Sequence, residues 1–316
     1  MLDPSAGQPP AAPADAPVAG SEPDVVHAVS AFFVGDTDRQ GVDAASAWEA
    51  YGYNLDGWVS TSKQGFHCQP RPGGKAFDVR DDGPEGEDNS FGRNVVPLLR
   101  ELLLASPSQV ATAAVREGRG GWLLAVASPG GATVATGLSG SLWQAEGTRV
   151  GGVVVAPPAG DWSTHAWHPL AGTGVSFAKA YVTGGVLVAR LDQPVVVSLP
   201  LSPAGWLLPV RGAILTVDLG TPGQGRDGTL AGLLPTEELV AAVAARLPDV
   251  STELCDEALV AGLLERIRAA SDSLLDGTQD PTRECDAISI GLGFTTRATL
   301  RGEVVAATPA PEVCSP

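Results

Sequence analysis

The sequence has few positive charges. It carries 20 Lys and Arg against 36 Asp and Glu, which gives a formal net charge of −16 at pH 7. Nucleic acids and anionic membrane surfaces are held mainly by Lys and Arg, with release of counterions. This deficit therefore argues against a nucleic-acid partner.

Long apolar runs are also missing. No stretch reaches the roughly 18 uninterrupted apolar residues that a membrane helix needs, so we expect no membrane span. Residues 1–23 are rich in Ala and Pro and have neither the basic nor the apolar region of a signal peptide. We expect a disordered tail of the kind left when a secretion signal or lipobox is removed, with a lipid anchor in the full-length precursor. An ordinary cytosolic tail is the alternative.

Cysteine is scarce, and its pattern points outside the cytoplasm. The four cysteines contain no C-x-x-C pair, which argues against a zinc ribbon or a thioredoxin-type site. We expect two disulfides and an extracytoplasmic location: periplasm, outer surface or secreted. Of the three connectivities, we favour Cys255 with Cys285 as a local clip, which leaves Cys68 to pair with Cys314. Four free thiols in a cytosolic protein are the alternative.

Sequence signatures of catalysis are absent as well. There is no G-x-S-x-G elbow, and the segment 137–141 (GLSGS) has the wrong offset and predicts a hairpin turn. The glycine-rich segment 220–228 lacks the lysine of a phosphate-binding loop and predicts an ordinary loop. We therefore assign no catalytic residue and no residue that binds an organic cofactor.

Glycine and short apolar runs are abundant. With 39 Gly and 26 Pro, the chain between residues 108 and 218 alternates short β-type runs with turns every eight to fifteen residues. This spacing is typical of all-β domains and not of β-α-β units. We predict a mainly β fold, a β-sandwich or jelly roll, in one domain over residues 24–316. The predicted strands are 25–34, 121–127, 151–156, 175–182, 185–191, 195–201 and 213–218.

Helical patterns occur in two places. A short helix is predicted near residues 95–105, with Asn94 as its N-cap and Pro97 in its first turn. A C-terminal helical pair is predicted within residues 235–275, where Thr236 is the N-cap of the first helix and Pro248 ends it. One or two closing strands follow within residues 285–306. The expected class is therefore α+β overall.

Two glycine-punctuated turns with many oxygen ligands lie close together. The segments are 53–57 (YNLDG) and 81–92 (DDGPEGEDNSFG). Calcium takes six to eight oxygen ligands, which short acidic and amide side chains on tight turns supply. The sequence therefore predicts a calcium site, although Asp, Asn and Gly also favour turns for conformational reasons alone. The predicted metal ligands are Asn54, Asp56, Asp82, Glu87 and Asp88.

These two turns and a later segment carry a resemblance. Together with 276–277 (DG) and 285–294 (CDAISIGLGF), they resemble a group of uncharacterised exported, lipoprotein-like proteins of myxobacteria, over most of residues 48–314. The resemblance brings no known reaction with it. It implies an extracytoplasmic setting and paired cysteines.

The polar residues that stand out all lie in predicted loops, where binding residues concentrate. We therefore expect an exported or surface-anchored, non-enzymatic binding or accessory protein, stabilised by calcium, whose partner is a glycan, a peptide or a cell surface. A secreted hydrolase that acts on glycans through a pair of carboxylates is one alternative. A structural subunit of a surface assembly is the other. The seven tryptophans are either core or ligand platform, depending on their exposure.

Overall fold

The structure is a computed structural model that describes residues 7–14, 16–18, 24–60, 68–72, 81–129, 131–307 and Cys314. The remaining residues, which include 1–6 and 19–23 of the predicted tail, lie outside the described part. Within it are four α-helices and thirteen strands. The helices are α1 (Val96–Leu103), α2 (Pro107–Arg116), α3 (Thr236–Ala244) and α4 (Glu257–Ala269). The strands are β1 (Asp24–Phe33), β2 (Gly121–Ala127), β3 (Ala135–Gly147), β4 (Arg149–Val150), β5 (Val153–Val154), β6 (Ala166–Pro169), β7 (Val175–Thr183), β8 (Val186–Arg190), β9 (Val195–Leu199), β10 (Trp206–Thr221), β11 (Gln224–Pro235), β12 (Ala287–Ala298) and β13 (Leu300–Arg301).

Eight strands close into an antiparallel barrel. Their order is β3-β2-β1-β12-β11-β10-β8-β7, and β7 pairs again with β3. The predicted sandwich or jelly roll is therefore wrong. A sandwich has two separate sheets, whereas this single sheet closes on itself. The mainly β class and the helices near the C-terminus are confirmed. Among the described residues, no helix is both long and apolar enough to cross a membrane.

Two long barrel strands change partner along one edge. β3 pairs with β7 over Ala135 to Leu142 and with β6 over Ala145 to Gly147. β10 pairs with β9 over its first five residues and with β8 from Ile214 onward. Between its two partners β10 is irregular at Gly212, whose φ of 58° lies in the left-handed region that favours glycine.

Aromatic side chains fill much of the core. Phe32 and Phe294 both pack edge-on against Trp122, with ring centroids 4.8 and 5.7 Å away. The indole of Trp122 donates to the carbonyl of Ser198, 2.8 Å away. Most tryptophans are therefore core and not ligand platform, while Trp58 is 59% exposed. The buried tryptophans are Trp48, Trp122, Trp162, Trp167 and Trp206.

Both predicted helical regions exist with different boundaries. The first helix begins as a π-helical turn at Phe91–Val95 that leads into α1, so Asn94 lies inside the helix and is not its N-cap. The N-cap of α3 is Pro235, and Thr236 instead bonds the hydroxyl of Ser271, 2.7 Å away.

Helix α2 was not predicted and lies along β1. Thr112 Oγ1 accepts the N–H of Phe32 at 3.0 Å and donates to its carbonyl at 3.2 Å. Ser108 Oγ accepts the N–H of Val34 at 2.9 Å and donates to buried Asp36. Because β2 pairs with β1 only as far as Ala28, these hydroxyls satisfy the part of the β1 edge that lacks a neighbouring strand.

The four cysteines form two disulfides, as expected, but the favoured connectivity is wrong. Cys68 pairs with Cys285, and Cys255 pairs with Cys314. The first disulfide is buried against Leu274. Cys255 is exposed at the end of a short 3-10 helix before α4, whereas Cys285 is buried two residues before the last barrel strand begins, so these two lie in different environments.

Candidate functional site

The two acidic turns predicted from the sequence do meet in the structure. Tyr53 and Asp88 form an isolated antiparallel bridge, in which the N–H of Asp88 donates to the carbonyl of Tyr53 at 3.0 Å. The carboxylate of Asp88 accepts the N–H of Leu55 at 2.6 Å. The bridge brings Asp56 and Asp88 to the same side of the molecule.

Asp82 joins this region through Ser60. The N–H of Asp82 donates to the carbonyl of Ser60 at 3.1 Å, and the Asp82 carboxylate accepts the N–H of Ser60. The other two predicted ligands stabilise their own turns. Asn54 Oδ1 accepts the N–H of Gly57 at 2.6 Å, and Glu87 Oε2 accepts the N–H of Glu85 at 2.9 Å.

A fourth acidic residue, Asp272, was missed. The sequence pattern placed it inside a helix, whereas α4 ends at Ala269 and Asp272 lies in the irregular segment that follows. Its Oδ1 accepts the N–H of Ser289 at 2.8 Å, and its own N–H donates to the carbonyl of Ala287 at 3.0 Å. We call Asp56, Asp82, Asp88 and Asp272 the carboxylate cluster.

Burial and mutual repulsion disfavour charge in this cluster. Burial raises the pKa of Asp82 to about 8 and that of Asp272 to about 7. The pKa of Asp88, which is 4% exposed, is raised well above its usual range by burial and then by the charges of Asp56, Asp82 and Asp272. Without a cation, the folded protein therefore favours protonated carboxyls at this position.

The donor chemistry of the cluster fits a hard cation, since carboxylate oxygens are the ligands that calcium prefers. The geometry of the cluster fits a cation less well than its chemistry does. In the part of the chain that the structure describes, no three His, Cys, Asp or Glu side chains are grouped so as to hold a metal ion together. Backbone carbonyls would have to complete any coordination shell.

A buried amide stabilises the region beside the cluster. Asn89 Nδ2 donates to the carbonyls of Trp48, Tyr51 and Gly291 at 3.0 to 3.2 Å, and its Oδ1 accepts the N–H groups of Gly92 and Gly291 at 2.9 Å. A Cβ on Gly291 would lie 2.4 Å from the carbonyl oxygen of Tyr51, so the close approach requires glycine. Asn89 thus joins the acidic loop to barrel strand β12.

Two cavities lie side by side over β1 and α2. The larger, of about 620 Å³, is bounded by β1, by residues 37–41 and by α2. The smaller, of about 420 Å³, extends to the loop 157–160. Because both are lined by Ala31, Arg116 and Thr295, they form one continuous depression, which we call the α2 groove.

Three arginines line this groove. The guanidinium of Arg39 lies 5.0 Å from the ring centroid of Tyr51 and donates to the carbonyl of Gly228 at 2.9 Å. Arg297 donates to the carbonyl of Gly160. Arg116 is exposed at the end of α2 and lines both cavities, and its side chain makes no hydrogen bond or ion pair with any described residue. No sequence motif marks these arginines, because they come from three separate segments.

Comparisons with protein-family models, with curated proteins and with solved structures found no match to this chain.

Proposed function

We propose that this protein is an exported, non-enzymatic binding or accessory protein that holds its ligand in the α2 groove. The observation that carries the proposal is the groove itself. Its larger cavity alone falls within the range of about 300 to 1,000 Å³ that is usual for ligand sites. Its polar side chains are hydroxyls, amides and guanidinium groups, which recognise ligands through hydrogen bonds.

The two disulfides support the extracytoplasmic part of the proposal, because disulfides persist in oxidising compartments and are rare in the cytosol. The resemblance to exported, lipoprotein-like proteins of myxobacteria points the same way. Within this setting we also propose calcium at the carboxylate cluster. Extracellular calcium would offset the repulsion among the buried carboxylates there.

The alternative of a carboxylate-dependent hydrolase stays a prediction. The pKa of Asp82, at about 8, would suit a general acid, and exposed Trp58 lies in the neighbouring turn. Hydrolysis of a glycan that disappears in Asp82→Asn would favour this alternative over the binding role.

Filling the groove tests the binding role. Ala113 is exposed on α2 and lines the larger cavity, so Ala113→Trp places a large side chain in the groove and leaves the core untouched. We expect the wild-type protein to bind members of an array of immobilised glycans and peptides, and Ala113→Trp to lose that binding at least tenfold while melting at the same temperature.

Ala258→Trp is the matched control, since Ala258 is exposed on α4, away from the groove. It should bind the array like the wild type. If the wild type binds nothing on the array, or if both tryptophan variants bind equally well, the groove is not the functional site.

A further inference from the structure

The charge of the α2 groove is opposite to that of the chain as a whole. The molecule carries −16, yet the groove is lined by three arginines and by one carboxylate, Glu117. That carboxylate is paired with Arg119, whose Nε lies 3.2 Å from Glu117 Oε2. A long-range negative potential is screened within about 8 to 10 Å at physiological salt, so the arginines dominate for a ligand in contact with the groove.

Two further acidic residues lie beside arginines of the groove. Asp227 forms an ion pair with Arg39 at 3.7 Å and is largely exposed. Asp161 accepts hydrogen bonds from the backbone and hydroxyl of Ser163 at 2.8 and 3.0 Å. These hydrogen bonds, and also the charge of nearby Arg297, lower the pKa of Asp161. Arg39 and Arg297 are thus partly neutralised, and Arg297 also donates to the carbonyl of Gly160, whereas Arg116 keeps its full donor capacity.

A third cavity shows that unpaired arginines are not the rule in this protein. This cavity, of about 400 Å³, is also lined by three arginines. Each of them has a carboxylate partner: Arg119 with Glu117, Arg149 with Glu146, and Arg246 with Asp249. The α2 groove differs because its central arginine has no such partner among the described residues.

The rest of the lining favours a ligand with many hydroxyl groups. Ser30 and Thr295 form a hydroxyl pair 3.0 Å apart, which leaves one of their two protons for a ligand. The amides of Gln40 and Gln109 also line the larger cavity. Hydroxyl and amide groups can both donate and accept, as the hydroxyls of a sugar require.

Two features disfavour other anionic ligands. The aromatic residues of the lining, Phe32, Phe33 and Trp162, are at most 6% exposed, so they present no face on which a nucleobase could stack. The β1 edge is already satisfied by the hydroxyls of Thr112 and Ser108, so an acidic peptide cannot add there as a strand.

We propose that the α2 groove binds an acidic saccharide. Arg116 and Arg297 pair with its carboxylate or sulfate groups, Arg39 adds positive charge, and Ser30, Thr295 and Gln109 bond its hydroxyls. This inference rests on the proposed binding function and specifies its ligand class.

Calorimetry at low salt with defined probes tests it. The probes are tetragalacturonate, a sulfated galactotetraose, the neutral galactotetraose and hexaglutamate. We expect the protein to bind at least one charged saccharide at least tenfold more tightly than the neutral sugar and hexaglutamate, with affinity falling as NaCl is raised. Each of Arg116→Gln and Arg297→Gln should weaken this binding about tenfold or more, because a hydrogen bond to a charged group contributes about 1.5 to 3 kcal/mol.

Arg149→Gln is the matched control, an arginine on the surface that pairs with Glu146 outside the groove, and it should change the affinity less than twofold. Equal affinity for the neutral sugar, tighter binding of hexaglutamate, or an unchanged affinity in Arg116→Gln would overturn the inference. If Ala113→Trp still abolishes array binding in that case, the groove remains the binding site and only the ligand class is wrong.

Discussion

At the residue scale, the side-chain amide of Asn89 bonds more buried backbone groups than any of the predicted metal ligands does. Asn89 uses both donors and its carbonyl oxygen on buried backbone groups of three segments. An unsatisfied buried polar group costs about 1 to 3 kcal/mol. The acidic segment 81–92 contains Asn89, but from the sequence alone this asparagine is indistinguishable from a residue that only favours a turn.

We expect Asn89→Ala to lower the free energy of unfolding by at least about 3 kcal/mol, because it leaves several buried backbone groups unpaired. Urea denaturation measures this loss. Asn94→Ala is the matched control. Asn94 donates one hydrogen bond, to Ser90 Oγ at 2.9 Å, from a half-buried position, and its loss should stay near 1 kcal/mol. Equal losses in the two variants would contradict the central role of Asn89.

At the element scale, strands predicted from apolar-rich runs were mostly correct, and glycine-rich strands were missed. Residues 121–127, 175–182 and 213–218 are strands as expected. The segments 137–141 and 220–228 were assigned to turns or loops but belong largely to β3, β10 and β11. Their glycines lie against aromatic rings: a Cβ on Gly228 would lie 2.5 Å from the ring of Phe294, and one on Gly140 would lie 2.3 Å from Phe177. Single-sequence patterns do not reveal such tertiary contacts.

The docking of α2 on β1 was also invisible to sequence patterns, because its hydroxyls bond to backbone groups about 80 residues away. We expect Thr112→Val to lower the free energy of unfolding by about 1 to 3 kcal/mol, since it keeps the shape of the side chain and leaves the N–H of Phe32 without a partner. Thermal and urea denaturation of Thr112→Ser provide the comparison. Serine keeps the hydroxyl, so the prediction is wrong if Ser and Val at this position are equally destabilising.

At the scale of the whole molecule, the sequence predicted the mainly β class and the presence of two disulfides, but not the closure of the sheet into a barrel. The pairing of β7 with β3 joins residues about 40 positions apart, and the pairing of β1 with β12 joins the two ends of the domain. Local periodicity contains no information about either pairing. The same is true of the carboxylate cluster, where Asp272 comes close to Asp56 only because the last barrel strand returns beside the first.

The titration of buried groups should give the whole molecule a stability maximum near pH 4 when calcium is removed. Burial lowers the pKa of His27 from its ordinary 6.5 to about 4, so stability falls by about 3 kcal/mol as the pH drops from 6.5 through 4. The raised pKa values of Asp82 and Asp272, about 8 and 7, act in the opposite sense. Their contribution is fully present below about pH 4 and is lost progressively as the pH rises from 4 to 7 or 8. Because two carboxyls outweigh one histidine in this range, the net stability falls from about pH 4 upward.

Melting temperatures measured from pH 3 to 9, with EDTA and with millimolar calcium, test this balance together with the proposed metal site. In EDTA we expect a maximum near pH 4 and a steady fall from there to about pH 8. Calcium binds the ionised carboxylates, so it should reduce the loss of stability at high pH by RT ln(1 + [Ca²⁺]/Kd), about 2.7 kcal/mol at a hundredfold excess over Kd.

Asp88→Asn should remove the calcium response. Asp280→Asn, which changes a half-exposed carboxylate that accepts the N–H of Thr282 at 2.9 Å, should keep it. Identical curves with EDTA and calcium would show that the cluster holds protons instead of a cation, because proton uptake alone also relieves the repulsion among its carboxylates.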